Sequence, residues 1–335
     1  DQVYAVQSET PPAVQILARG DTEQGRDEVT PSSLECLEGL SNFSLDASAS
    51  DLSRRLALSD WITDAANPLF KRVIVNRLWQ QHFGQGIVAT PSDFGLGGAL
   101  PTHPELLDWL ANDFHEKRYS LKAMHRLICC SSTYRQRSIL DSHLPSHAKA
   151  AAVDANNRWL WRQNAFKLDA ESTRDAVLAV SGQLEPSMFG PGFREFDYKE
   201  EYAPVYSYVT RNDREANRRS IYRFRVRTTP NPWLTSLDCP NSANFTPTRF
   251  VTTTALQSLA LLNHDFVLQQ SENLANRISS LHDVPKDQIA VAWSLVFSRK
   301  PSELEMRASE ELIGKHGLST FCRYLLNSNE FVSID

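Results

Sequence analysis

At 335 residues, 41% of them hydrophobic and 22% charged, the chain is long enough for one large or two ordinary domains and has an ordinary globular composition. Its net charge of −5 is unevenly placed, because residues 1–50 hold nine acids against only Arg19 and Arg26 and leave a nearly neutral remainder. No apolar run approaches the roughly 18 residues of a membrane span, no C-x-x-C-H offers a haem attachment, and a pI near 6.0 without a reading module argues against nucleic-acid binding.

Residues 1–50 mix Pro11, Pro12, Gly20, Gly25, Pro31 and Gly39 with acids and hydroxyls, and predict an acidic extended arm with one or two strands. From Asp51 the period becomes helical, and residues 51–335 are expected to form a mainly helical body with a possible sub-boundary near 140–150. Asn67 followed by Pro68 is a helix start, and Gly84 a stop, around a segment apolar on almost every face that predicts a buried central helix. A Gly- and Pro-punctuated loop follows. Thr102 with Glu105 then reads as a capping box, and Ser120 as the cap of a second helix, the two forming an antiparallel pair.

A further helix is expected from about Ala151 to Gln163, and Asp169 caps another. Residues 220–227, SIYRFRVR, alternate apolar side chains with Arg223, Arg225 and Arg227 and predict a strand with a row of guanidiniums on one face. Thr254 with Gln257 and Ser302 with Glu305 are capping boxes, and separate helices are expected at 286–299 and 317–328. The fold class expected is mainly α: an irregular multi-helix body, a small β element and the N-terminal arm.

Several ordered motifs carry a resemblance. They are NRLWQQHFGQGIV (76–88), SDFG (92–95), HPELLDWLANDF (103–114), K-x-x-H-R-L-I-x-x-S-x-T-Y-R (122–135), E-x-x-R-D-A-V-L-A-V-S-G (171–182), RRSIY (218–222) and TTTALQSLALLN (252–263). Together they resemble the planctomycete cytochrome-associated domain of unknown function, of the PSD-one type. One departure is Leu237, where Phe is expected. The resemblance implies a C-terminal module of a large exported protein, behind upstream cytochrome-type or other domains, in an extracytoplasmic or envelope setting. Haem would then sit on those modules, and no cofactor is expected here.

Two polar clusters are candidates for chemistry. Asp93, His103, Glu105 and His125 could supply acid, base or metal ligands, with His82, Asp93 and His103 as the metal candidates, although their spacing fits no stated metal motif. Helix-start and loop-cap roles account for the same residues. The second cluster is arginine: Arg223, Arg225 and Arg227, followed by Trp233 and Arg249. Guanidinium forks suit carboxylates, sulfates and phosphates. Glu171, Arg174 and Asp175 share the polar side of one helix, where an Arg174–Glu171 pair is the default and a buried network to the arginine segment the rival.

The leading expectation is a non-catalytic binding or assembly module that engages a partner domain or an acidic glycan through the arginine face. A carbohydrate-active enzyme using the His and carboxylate cluster, and a purely structural scaffold, are the alternatives.

Overall fold

The computed structural model describes residues 7–37, 39–138 and 144–334. The chain is mainly helical with a small β element and divides into two compact units: residues 1–136 with 141–163, and residues 137–140 with 164–335. Among the described residues no helix is long and apolar enough to cross a membrane.

In the first unit, β1 (Val14–Ala18) and β2 (Asp21–Val29) form an antiparallel hairpin whose residues are almost all exposed. Helix α1 (Asp51–Thr63) buries none of its residues. The Asn67 side chain accepts from the Leu69 amide to start α2 (Pro68–Phe83), and Gly84, with φ +80°, ends it in the left-handed conformation. As expected this helix contributes centrally to its unit's core, but it is less completely buried than its apolar surface implies. Only Val75, Asn76, Trp79 and Phe83 are buried, and the remaining apolar side chains are half-covered.

Asn76 fastens the following loop by accepting from the Val88 amide at 2.8 Å and donating to its carbonyl at 2.9 Å. Helix α3 (Pro104–Glu116) is capped by His103, not by the expected Thr102–Glu105 box. Pro104 fixes the first helical position one residue later, while the Thr102 amide and hydroxyl both donate to the Ile87 carbonyl. Ser120 starts α4 (Leu121–Cys130) as expected. Val75, Phe83, Leu107, Leu110, Phe114, Met124 and Ile128 form this unit's core.

Helix α5 (Pro145–Val153) corrects the helix expected at 151–163. The Asp154 carboxylate accepts from the Arg158 and Trp159 amides and so holds the following segment in turns.

In the second unit, β3 (Phe166–Lys167) leads into α6 (Ala170–Ser181), capped by Asp169 and ended by Gly182. Strands β4 (Phe196–Lys199) and β5 (Val205–Tyr208) form an antiparallel hairpin. Residues 220–227 are not a strand: a 3-10 turn spans Ser220–Tyr222 and the chain beyond it is irregular, touching Phe193 by a single bridge at Arg223. Then come α7 (Pro232–Ser236), α8 (Ala255–Asn263) with its Thr254–Gln257 capping box, α9 (Asp265–Leu281) and α10 (Pro285–Phe297).

Helix α11 (Glu303–Leu326) begins at the Ser302–Glu305 box and merges the two helices expected there across a kink at Gly317, φ +83°. Helix α12 (Asn329–Val332) and β6 (Ser333–Ile334), which pairs with β3, close the chain. The core lies around α9, whose Val267, Leu274 and Ile278 are fully buried against Val177 and Leu178 of α6, Ile289 of α10 and Leu326 of α11.

Candidate functional site

Arg174 of α6 organises the polar interior of the second unit. Its guanidinium donates to Glu195 Oε1 at 2.9 Å, to the Ala216 carbonyl at 2.5 Å and to the Arg218 carbonyl at 3.1 Å. The rings of Phe193 and Phe266 lie 5.1 and 5.5 Å from it. Asp175 accepts from both the amide and the hydroxyl of Ser220, at 2.8 and 2.7 Å, and pins the 3-10 turn to α6. Arg218 donates to the carbonyls of Phe189 and Pro191 and stacks over Tyr222 at 4.2 Å. The expected Arg174–Glu171 pair is therefore replaced by the rival network. Glu171 is taken by Arg249, at 2.6 Å, because Arg174 is turned to the opposite, buried side.

This scaffold presents two further guanidiniums to a small cleft lined by Tyr208, Arg223, Arg225, Asn231, Thr235, Cys239 and Ser242 among others. The Arg223 side chain is 6% exposed, and among the described residues its one ion pair is a loose 3.7 Å contact with Glu195, which Arg174 already occupies. Among the described residues its buried Nε has no hydrogen-bond partner. Burial pushes its pKa down, against the pull of Glu195. Arg225 is exposed and donates to the Pro240 carbonyl at 3.1 Å and to Cys239 Sγ at 3.3 Å. Among the described residues no carboxylate lies within ion-pair distance of it.

The other lining groups are neutral. Burial raises the Cys239 thiol above its usual range, helped by the nearby Glu171 carboxylate that accepts from it at 3.6 Å. Burial likewise raises the Tyr208 phenol, which donates to the Thr229 carbonyl at 2.6 Å. Although burial opposes its charge, Glu171 is held below the usual carboxylate range by the hydrogen bonds and charge of Arg249. The cleft thus brings two guanidiniums together between uncharged lining groups, with the Glu171 carboxylate close behind Cys239.

The remaining candidates are dispersed. Trp233, a ligand-binding candidate beside the arginines, is buried in the core, stacked on His264 at 5.2 Å and tilted against Phe266 at 5.0 Å, because Pro232 starts α7 with the indole turned inward. Arg249 is held by Glu171 and by Asp169 at 3.5 Å. Arg227 is exposed.

In the first unit, no hydrogen bond or ion pair joins any two of Asp93, His103, Glu105 and His125 among the described residues. Asp93 caps its own turn through the Gly95 amide, and His103 meets the Thr102 hydroxyl. His125 Nδ1 lies 2.8 Å from His82 Nε2, while Cys129 Sγ is 3.9 Å from the other nitrogen of His82. Those two contacts use opposite edges of one imidazole, so the three side chains cannot converge on one ion. Among the described residues no group of three or more His, Cys, Asp or Glu is placed to hold a metal.

Sequence reasoning counts Glu195 among several carboxylates that could pair with the arginines without singling it out, and misses Tyr208 and Cys239 as parts of the site. All three lie in irregular or short-strand segments whose partners are set by tertiary contacts. These features define a mainly helical protein with a small cationic cleft in its second unit. The chain belongs to the family PSD1, described as a protein of unknown function (DUF1553), which matches residues 54–313. No curated protein and no solved structure matches it.

Proposed function

We propose that this chain is a non-catalytic binding module whose second unit holds an anionic group between Arg223 and Arg225. The observation that carries the reading is Arg223: a guanidinium almost fully withdrawn from water whose Nε has no partner among the described residues and whose ion-pair carboxylate, Glu195, is shared with Arg174. Withdrawing a cation from water without satisfying its donors is costly, and an incoming carboxylate or sulfate removes that cost through two-pronged hydrogen bonding. The ligand is an acidic glycan or an acidic segment of a partner domain. The motif resemblance supports an exported, cytochrome-linked parent and an extracytoplasmic setting, with the partner domain upstream in the same protein.

Titration of the whole chain with sodium sulfate and sodium acetate, followed by the Nε–H resonances of its arginines, tests the reading. Saturable shifts confined to two arginines and lost in Arg225→Ala are expected. Uniform, non-saturating drift in the native chain would overturn it.

A further inference from the structure

Resting on the Arg223–Arg225 reading, we infer that the occupant of that cleft is a segment of a partner protein, acidic and carrying large apolar side chains, which docks across the neighbouring loop that displays Phe189. Two parallel bridges, Glu185 with Arg218 and Phe193 with Arg223, lay residues 185–193 alongside residues 218–223. Between those bridges the first segment makes a loop. The guanidinium of Arg218, a residue only 8% exposed, donates to the loop carbonyls of Phe189 and Pro191, and the Phe189 amide donates to the Tyr222 hydroxyl at 2.9 Å. Because these polar groups take the inner side of the loop, its apolar side chains are left outside.

Met188 is 62% exposed and Phe189 77%, and Ile221, on the 3-10 turn that Asp175 pins, is 77% exposed as well. Apolar residues scattered singly over a surface are ordinary, but three so bare on one clamped pair of segments mark a contact surface. The backbone gives a second, independent sign. Phe189 sits at φ +68°, in the left-handed region that a bulky side chain avoids, ahead of Gly190 at φ +80°. Such strain persists only where the surroundings over-determine it, and here the hydrogen bonds of Arg218 and Tyr222 do so. The product is an aromatic knob fixed in place before any partner arrives, which lowers the ordering cost of association.

The charge around the knob selects an acidic partner. Arg194, Arg219 and Arg225 are exposed and have no ion pair among the described residues, Arg194 lying instead over the Phe224 ring at 5.3 Å. Glu185 is engaged by Arg214 and Glu195 by Arg174, which leaves Glu215 as the one acid of residues 185–195 and 215–225 without an ion pair among the described residues. Met188 and Ile221 lack the flat, polar-edged rings that suit sugars, whereas they match the apolar side chains of a peptide. A bilayer fits less well, because Arg223 is sunk in a small cleft. A carboxylate on a flexible side chain reaches it, and a headgroup held in the interface plane does not.

The experiment selects a random dodecapeptide display library on the immobilised whole chain. The leading peptide is then measured by calorimetry beside hexaglutamate, sodium sulfate and phosphatidylglycerol vesicles. Enriched sequences are expected to combine acids with at least one Phe, Leu, Ile or Trp, and the leading peptide to bind about tenfold or more tighter than hexaglutamate. Phe189→Asn with Ile221→Thr should cut that affinity about tenfold or more and leave sulfate binding unchanged. Asparagine tolerates the left-handed conformation, so the loop survives the change. Arg225→Ala should weaken peptide and sulfate together.

If sulfate saturates the cleft but no peptide is enriched, or the enriched peptides lack acids or ignore the Phe189 and Ile221 substitutions, the inference falls and the anion cleft stands. Peptides that bind independently of Arg225 would overturn it as well, by detaching the surface from the cleft. If neither sulfate nor any peptide binds, both readings fall. Vesicle binding that the two substitutions abolish, with no peptide enriched, would overturn the inference in favour of a lipid surface.

Discussion

Arg174→Ala should destabilise the second unit by about 3 kcal/mol. The substitution removes a guanidinium whose side chain is 3% exposed and leaves Glu195 Oε1, the carbonyls of Ala216 and Arg218, and the Asp175 ion pair without their cation. Removing one partner of a buried ion pair typically costs about 3–5 kcal/mol, because the other charge stays buried and unpaired. Glu195 and Asp175 keep 15% and 24% of their side-chain exposure, so water relieves part of the loss and the expectation sits at the low end of that range.

Arg174→Met combined with Glu195→Leu should cost less than Arg174→Ala alone, since both charges leave together. The assay is native-state hydrogen exchange read on α6 and α9, which isolates the second unit from the first. A loss below about 1 kcal/mol for Arg174→Ala, or a double variant no better than the single, would show that the network is not the scaffold of the cleft.

Three further outcomes follow from the geometry. Burial, with a smaller contribution from the neighbouring His125, holds His82 below its ordinary value of 6.5, so the unfolded ring binds a proton that the folded ring refuses. Stability from this group is full above about pH 6.5 and is lost as pH falls toward the depressed folded value; α2 and α4 should exchange faster at pH 5 than at pH 7.5 after correction for intrinsic rates, and His82→Gln should flatten the difference. A Cβ on Gly192 would lie 2.8 Å from the Tyr222 carbonyl, so Gly192→Ala should cost about 1–3 kcal/mol by urea unfolding and weaken sulfate binding by displacing the turn before Arg223. Burial raises the Cys322 thiol to about 12, so native iodoacetamide labelling should mark exposed Cys36 and Cys130 and spare Cys322 until urea unfolds the chain.

Helix starts were legible because their chemistry is local. Asn67 before Pro68, Ser120, Asp169, Thr254 with Gln257 and Ser302 with Glu305 each accept a backbone N–H within three residues, so a short window contains the whole interaction. The same local logic failed at Thr102, where a proline two residues on and a carbonyl fifteen residues back decided the outcome. It failed again at 151–163, where the Asp154 side chain competes for the amides a helix would use.

The site was half legible for a related reason. Alternation at 220–227 marked Arg223 and Arg225 as residues sharing a side, and both do line one cleft. A strand was the wrong explanation, because a strand needs a ladder partner, and here the segment is held instead by Asp175 on Ser220 and by Arg218 on the carbonyls of 189 and 191. Nothing in the pattern of residues 220–227 could distinguish a guanidinium pointing into solvent from one drawn inward, because that choice belongs to Glu195, twenty-eight positions before Arg223. Glu195 is in turn placed by Arg174, for which helical spacing offered Glu171 and burial selected the distant carboxylate instead. Among the described residues the Arg223 Nε has no hydrogen-bond partner, and the Glu195 carboxylate that faces its guanidinium is shared with Arg174.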